Sequence, residues 1–254
     1  MRRGIGIVML SKEKSMSSIK TVVLAGLIIF AATGVAQAVP FTFNASDGSG
    51  DDAVSATATI TPGAGQLTVV LTNTLPDPRS AGNLLSDISL TLNTLPGVIT
   101  LASQLGSLID INVSAGGTFT SHSGDPTHWD VELTGPLVIH LTTLTGGQPE
   151  NLIIGPPDSD TGRYDHANSS VDNFNPSIQG TGTFVINATG VTSNTIVTAA
   201  VFSFGTSDTE RLVTGVPDVT PTAVPQPMTL LLLGSGFIGI VGLGRSTARS
   251  RKTE

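Results

Sequence analysis

The chain has 254 residues, no cysteine, 12% charged residues and a formal charge of −7. The lack of Cys excludes disulfide scaffolds, thiol nucleophiles and thiolate metal sites. Nine of the twelve cations lie near the two ends. Between residues 39 and 223 only Arg79, Arg163 and Arg211 face seventeen acids, a formal charge near −14, so this region lacks the cationic footprint of a nucleic-acid binder.

Residues 1–38 read as a secretory signal peptide. Lys12, Lys14 and Lys20 supply a positive flank, 21–32 an apolar segment, and Ala36-Gln37-Ala38 a small-x-small cleavage site. Signal peptidase would cut after Ala38, so the mature chain begins at Val39. Met16 opens a compact signal by itself, which makes it a candidate start. Arg2-Arg3 lies too far from the apolar segment to serve as a twin-arginine signal.

Residues 39–214 alternate apolar and polar positions with period two, the mark of half-buried strands. The sets are Val54 to Ile60, Leu67-Val69-Leu71, Ile88-Leu90-Leu92, Ile109-Ile111-Val113, Trp129-Val131-Leu133, Leu137-Ile139-Leu141, Phe184-Ile186-Ala188, and 196–204. Thr and Ser fill the intervening places, as suits a pleated surface with one wet face. Breakers separate the sets: Pro62-Gly63, Pro76-Asp77-Pro78, Gly116-Gly117, Gly124-Asp125-Pro126, Gly146-Gly147 and Gly155-Pro156-Pro157. Eight to ten short strands predict an all-β domain, an antiparallel sandwich or jelly roll with one core. Residues 95–108 have room for a short helix, weakened by Gly97 and Gly106. Residues 215–223, rich in Pro and Thr, predict a linker.

Chemistry is sparse in this domain. Asp47, Asp51 and Asp52 sit in a Gly-rich loop whose alternating oxygens are a candidate Ca²⁺ site. Asp158, Asp160, Asp165 and Asp172 form a second acidic stretch. His122 and His128 flank Asp125, but spacing alone does not make them metal ligands. His140 occupies a polar strand position and is expected on an exposed face. No GxSxG elbow is present, and Glu132, Glu150 and Glu210 lack the context of a paired-carboxylate hydrolase. Trp129, Tyr164 and Phe174 could in principle form a sugar platform, although core or rim positions suit them better. Asn168-Ser-Ser is a glycosylation sequon in form only.

The end of the chain is the most specific part. Val224-Pro225-Gln226-Pro227 precedes an uncharged run, 228–244, of which the 16 residues 228–243 reach about 24 Å as a helix. That is short of the roughly 30 Å hydrocarbon core, so flanking residues or bilayer thinning must make up the difference. The tail 245–254 carries Arg245, Arg249, Arg251 and Lys252, which by the positive-inside rule stay cytoplasmic.

This order closely resembles the PEP-CTERM sorting signal of Gram-negative bacteria: a Pro-Glu-Pro motif, one apolar helix, and an Arg-rich end. Gln226 stands where the family usually has Glu, keeping the shape and losing the charge. The resemblance covers residues 224–254 only. It implies an exported precursor held in the inner membrane, processed by an exosortase-type membrane protease, and released to the cell surface or the extracellular matrix of exopolysaccharide and biofilm. The expectation is a non-enzymatic structural protein. The second reading is a carbohydrate- or Ca²⁺-binding module, and the third is a secreted hydrolase.

Overall fold

The computed structural model describes residues 39–145, 147–207 and 210–218. The sequence alternation becomes strands because each apolar set needs a common face to bury. In Val54–Gly63 (β2) burial alternates residue by residue. Ala56, Ala58 and Ile60 point inward, while Thr57, Thr59 and Thr61 remain half-buried on the outer face. A tight turn carrying Gly65 at φ +75 leads to Gln66–Asn73 (β3). Phe41–Asp47 (β1) pairs antiparallel with the other edge of β2. Outer-face threonines meet across strands, as in the 2.9 Å hydrogen bond between Thr72 and Thr181.

The remaining strands are Leu85–Leu92 (β4), Ile99–Asn112 (β5), Thr118–Ser121 (β6), Asp130–Gly135 (β7), Val138–Thr142 (β8), Ile153–Ile154 (β9), Ser177–Ala188 (β10), Val197–Phe204 (β11), Arg211–Thr214 (β12) and Val216–Pro217 (β13). The order β12-β11-β4-β9-β10-β3-β2-β1-β13 forms the main path of one large sheet. Two branches leave it: β5 and β6 beside β10, and β8 and β7 beside β4.

Three expectations change here. Residues 95–108 are not helical; from Ile99 onward they belong to β5, which pairs with β10 from Ile99↔Ala188 to Ile109↔Ser177. The turn before β5 uses Gly97 at φ +74, and Gly106 is needed where an added Cβ would press on Ile178. Long-range pairing outweighs the weak local pattern. The sheet is also mixed rather than wholly antiparallel, since β9 runs parallel to β10. Parallel neighbours need a crossover of a dozen or more residues, and the segment 155–176 supplies it. Finally, Val216 and Pro217, inside the stretch read as a linker, pair with Asn44 and Phe43 of β1.

The short strand β9 divides the interior. Ile153 joins a main core with Phe43, Ile60, Leu71, Ile88, Leu90, Ile139, Phe184 and Phe202, drawn from the two arms of the sheet on either side of β9, one with β4, β8 and β11 and the other with β10, β3, β2 and β1. Its neighbours Leu152 and Ile154 join a second core with Leu84, Ile109, Ile111, Tyr164 and Val171. Trp129, the only tryptophan, is 3% exposed and lies 4.6 Å from the Phe184 ring. Its indole N–H donates to the Asn151 carbonyl at 2.9 Å, so the one polar atom of the ring is satisfied in the core. Gly117, at φ +68, lies against the Tyr164 backbone, where an added Cβ would collide. That close approach seats the loop over the second core.

Candidate functional site

The acidic loop after β1 becomes a single 3-10 turn, Gly50–Asp52, with no buried residue. Asp47 Oδ2 accepts from Arg211 Nη2 at 2.9 Å. The other terminal nitrogen of Arg211 donates to the Asp52 carbonyl. Asp51 pairs with Arg79 at 2.7 Å. Two of the three arginines in this region therefore serve the loop. The Arg211 hydrogen bond, helped by the Gly48 N–H, holds the Asp47 carboxyl below its ordinary value. The Ca²⁺ expectation for Asp47, Asp51 and Asp52 finds no convergent ligand set. Among the described residues no group of three or more His, Asp or Glu is arranged to hold a metal. In the second acidic stretch, Asp158 Oδ1 accepts from the N–H of Asp160 at 2.8 Å and of Thr161 at 3.1 Å, a turn that lowers its pKa.

Beside these arginines lies an open depression of about 620 Å³, lined by Ser80, Asn83, Ser170, Phe174, Glu210 and Arg211 among others. Several of its polar side chains are committed to loop structure. Asn83 Oδ1 accepts from the N–H groups of Arg79 and Ser80, and its Nδ2 donates to the carbonyls of Asp51 and Ala53. The Ser170 hydroxyl accepts from Ala81 N–H, and Glu210 accepts from Thr206 N–H at 2.8 Å. These bonds tie three loops together, and the hydroxyls of Ser80 and Ser170 donate to the side-chain oxygens of Asn83 and Asn168 rather than to a base.

The histidines do not converge either. His122 pairs with Asp110 at 2.8 Å, His128 with Glu150 at 2.8 Å, and His166 with Asp77. His140 departs from its expected exposed face. Its side chain is 12% exposed and lies between Asp87 on β4, at 3.2 Å, and Glu132 on β7, at 3.1 Å. Asp87 is 3% exposed in its side chain, and its Oδ2 has no hydrogen-bond partner among the described residues. The strand register explains the grouping: His140 lies opposite Glu132 and Ser89, one diagonal step from Asp87. The Asp87 hydrogen bond raises the His140 pKa above 6.5 against the opposing effect of burial, and Glu132 adds to the rise. This carboxylate–imidazole–carboxylate row crosses three neighbouring strands, β4, β8 and β7. Alternation along β8 gives the face of His140, but nothing local signals that Asp87 is buried beside it.

Of the three aromatic residues weighed as a sugar platform, Trp129 and Tyr164 are interior and Phe174 is half-buried at the edge of the open depression. Trp129 lies in the main core, and Tyr164 is fully buried with its hydroxyl donating to the Gly155 carbonyl at 3.0 Å. Burial pushes the Tyr164 phenol up to about 12. Phe174 packs on the second core. The sequon residue Asn168 caps the helical turn Ser169–Asp172, its side-chain oxygen accepting from Ser170 N–H. Ala36 and Ala38, Val224 to Pro227, the apolar run 228–244 and the cationic residues Arg245, Arg249, Arg251 and Lys252 lie outside the described residues. Among the described residues no helix is long and apolar enough to cross a membrane.

No protein-family model, curated protein or solved structure matches the chain.

Proposed function

We propose that this is an exported, non-catalytic structural protein of the cell surface or extracellular matrix, delivered by a C-terminal sorting signal of the PEP-CTERM kind. The carrying observation is the ordered set Val224-Pro225-Gln226-Pro227, the apolar run 228–244 and the basic tail with Arg245, Arg249, Arg251 and Lys252, matched by the Ala36-Gln37-Ala38 cleavage site at the other end. Signal peptidase releases Val39, the apolar run holds the precursor in the inner membrane, and an exosortase-type protease cuts near the Pro-Gln-Pro motif. The cargo is an acidic β-domain whose two arms close on a common core, a β-sandwich in the jelly-roll manner. Support for a structural role comes from how the polar groups are used: Asn83, Arg79, Arg211 and Glu210 hold loops in place, and Trp129 and Tyr164 serve the cores. The matrix of exopolysaccharide and biofilm is the setting that the sorting signal implies.

Mass spectrometry of the mature protein from exosortase-bearing cells tests this reading. The expected product starts at Val39 and ends near Pro225-Gln226-Pro227. A mature C-terminus at Glu254 would overturn the sorting role and leave a single-pass protein.

A further inference from the structure

One end of the sheet differs in chemistry from the rest. Four connections meet there: 63–66 between β2 and β3, 93–98 between β4 and β5, 135–138 between β7 and β8, and 189–196 between β10 and β11. Backbone hydrogen bonds join them. Gly65 N–H donates to Val191, Gly190 N–H to Pro96, Asn93 N–H to Ile196, and Leu92 N–H to Leu137. In a region with a formal charge near −14, these four connections contain no Asp, Glu, Lys, Arg or His. They instead expose Val98 (72%), Leu95 (62%), Ile196 (46%) and Leu137 (36%). The loops at the other end carry Asp51, Asp52, Asp77, Asp158, Asp160 and Asp165.

The chain also leaves the sheet at the uncharged end. β1 begins at Phe41 opposite Ile60, near the Gly65 turn, and runs away from it. β13 is antiparallel to β1, so it runs toward that turn. Asp218 N–H then donates to the Thr42 carbonyl at 2.7 Å. Val197 and Thr198, the residues after Ile196, line a shallow depression of about 460 Å³ together with Phe41, Thr42, Pro217 and Asp218. The exit is therefore beside the exposed Ile196. Only residues 219–227 separate it from the apolar run, and extended at about 3.5 Å per residue they span about 30 Å.

We propose that this uncharged tip is the face the domain turns to the lipid bilayer, with Leu95, Val98, Leu137 and Ile196 reaching the interfacial layer. The proposal rests on the reading of 228–244 as a membrane anchor and adds an orientation to it. A domain of this charge is repelled from an anionic lipid surface over a Debye length of about 8 Å. The short tether keeps it close regardless. Presenting the end whose four connections carry no charge turns most of the acids away from the lipid, Asp218 at the exit being an acid on that side, and brings apolar side chains to a boundary that favours them.

The test uses the full chain, which has no native Cys, with one cysteine introduced at a time: Val98→Cys, Ile196→Cys, and Ser159→Cys at the acidic end. Each is labelled with an environment-sensitive fluorophore and reconstituted into vesicles of phosphatidylcholine and phosphatidylglycerol. Flotation establishes anchoring first. The expected result is blue-shifted tip emission, quenched by doxyl-labelled lipid, with the Ser159→Cys label unaffected. Floating chains whose tip labels stay unquenched would overturn the docking and leave the anchor standing. Chains that fail to float would overturn both. Energy transfer between tip labels in lipid-free detergent would make the tip a self-association surface instead, which also overturns the proposal. Trp129 emission in each variant confirms that the core is intact.

Discussion

His140→Leu probes the charge row across β4, β8 and β7. The substitution removes the counter-charge of Asp87, whose side chain is 3% exposed and whose Oδ2 has no other partner among the described residues. Breaking a buried pair by removing one partner costs about 3–5 kcal/mol. The 12% exposure of His140 puts this case near the low end, about 3 kcal/mol. The pH dependence separates charge from packing. The folded state raises the His140 pKa above 6.5, so the imidazolium stabilises the fold fully below pH 6.5, and this contribution is lost as pH rises through the folded value. Once pH has risen past that folded value the wild-type imidazole is neutral, and the penalty should shrink toward about 1.5 kcal/mol, the low end for a hydrogen bond to a charged group. The acid groups facing His140 are Asp87 on β4 and Glu132 and Asp130 on β7, and all remain in the variant. Urea denaturation followed by the emission of Trp129 reads the stability directly, because the only tryptophan lies in the main core. A penalty that stays constant as pH rises from about 5.5 through the folded value would refute the charge argument and leave a packing effect.

Two further outcomes follow from the loop network. Asn83→Ala removes the acceptor of Arg79 and Ser80 and the donor to Asp51 and Ala53, so it should cost about 2–4 kcal/mol by the same denaturation assay; a loss below about 1 kcal/mol would show that the loops hold without it. Asp47→Asn should flatten the acid limb of the stability curve: the wild-type contribution, set by Arg211, is present above pH 3.8 and is lost as pH falls through the lowered folded value, so the two curves should converge in acid, and a gap constant with pH would contradict the assignment.

Much of the sheet was legible because burial enforces alternation. The sets at 54–60, 67–71 and 184–188 lie in strands and face the core as their spacing predicts. The sets were blind to β9 and β13, which are two residues each and exist only through their neighbours. The first part of β5, up to Leu108, was hidden because Gly97 in the turn before it and Gly106 against Ile178 interrupt the pattern, whereas Ile109 and Ile111 at its end belong to a set that alternation did mark. The acidic loop shows the same limit for a site. Its oxygens were visible in the sequence, but the partner that occupies Asp47 is Arg211, 164 residues away. For His140 the face was correct and the exposure was not, since what surrounds a strand position depends on the strands beside it.

The register of the sheet also bears on how the chain comes together in time. Gln66 on β3 bonds to Asn187 on β10 across 121 residues, and Ser86 at β4 bonds to the Ser203 carbonyl on β11 across 117. Closing loops of this size is entropically costly and slows folding relative to local pairing. A nascent chain cut short before β10 would hold β3 with one edge bare, an open template for aggregation. The β-domain is therefore expected to complete its fold only once its last strands are free, so that loss of a few residues around 197–214 costs far more than their number suggests.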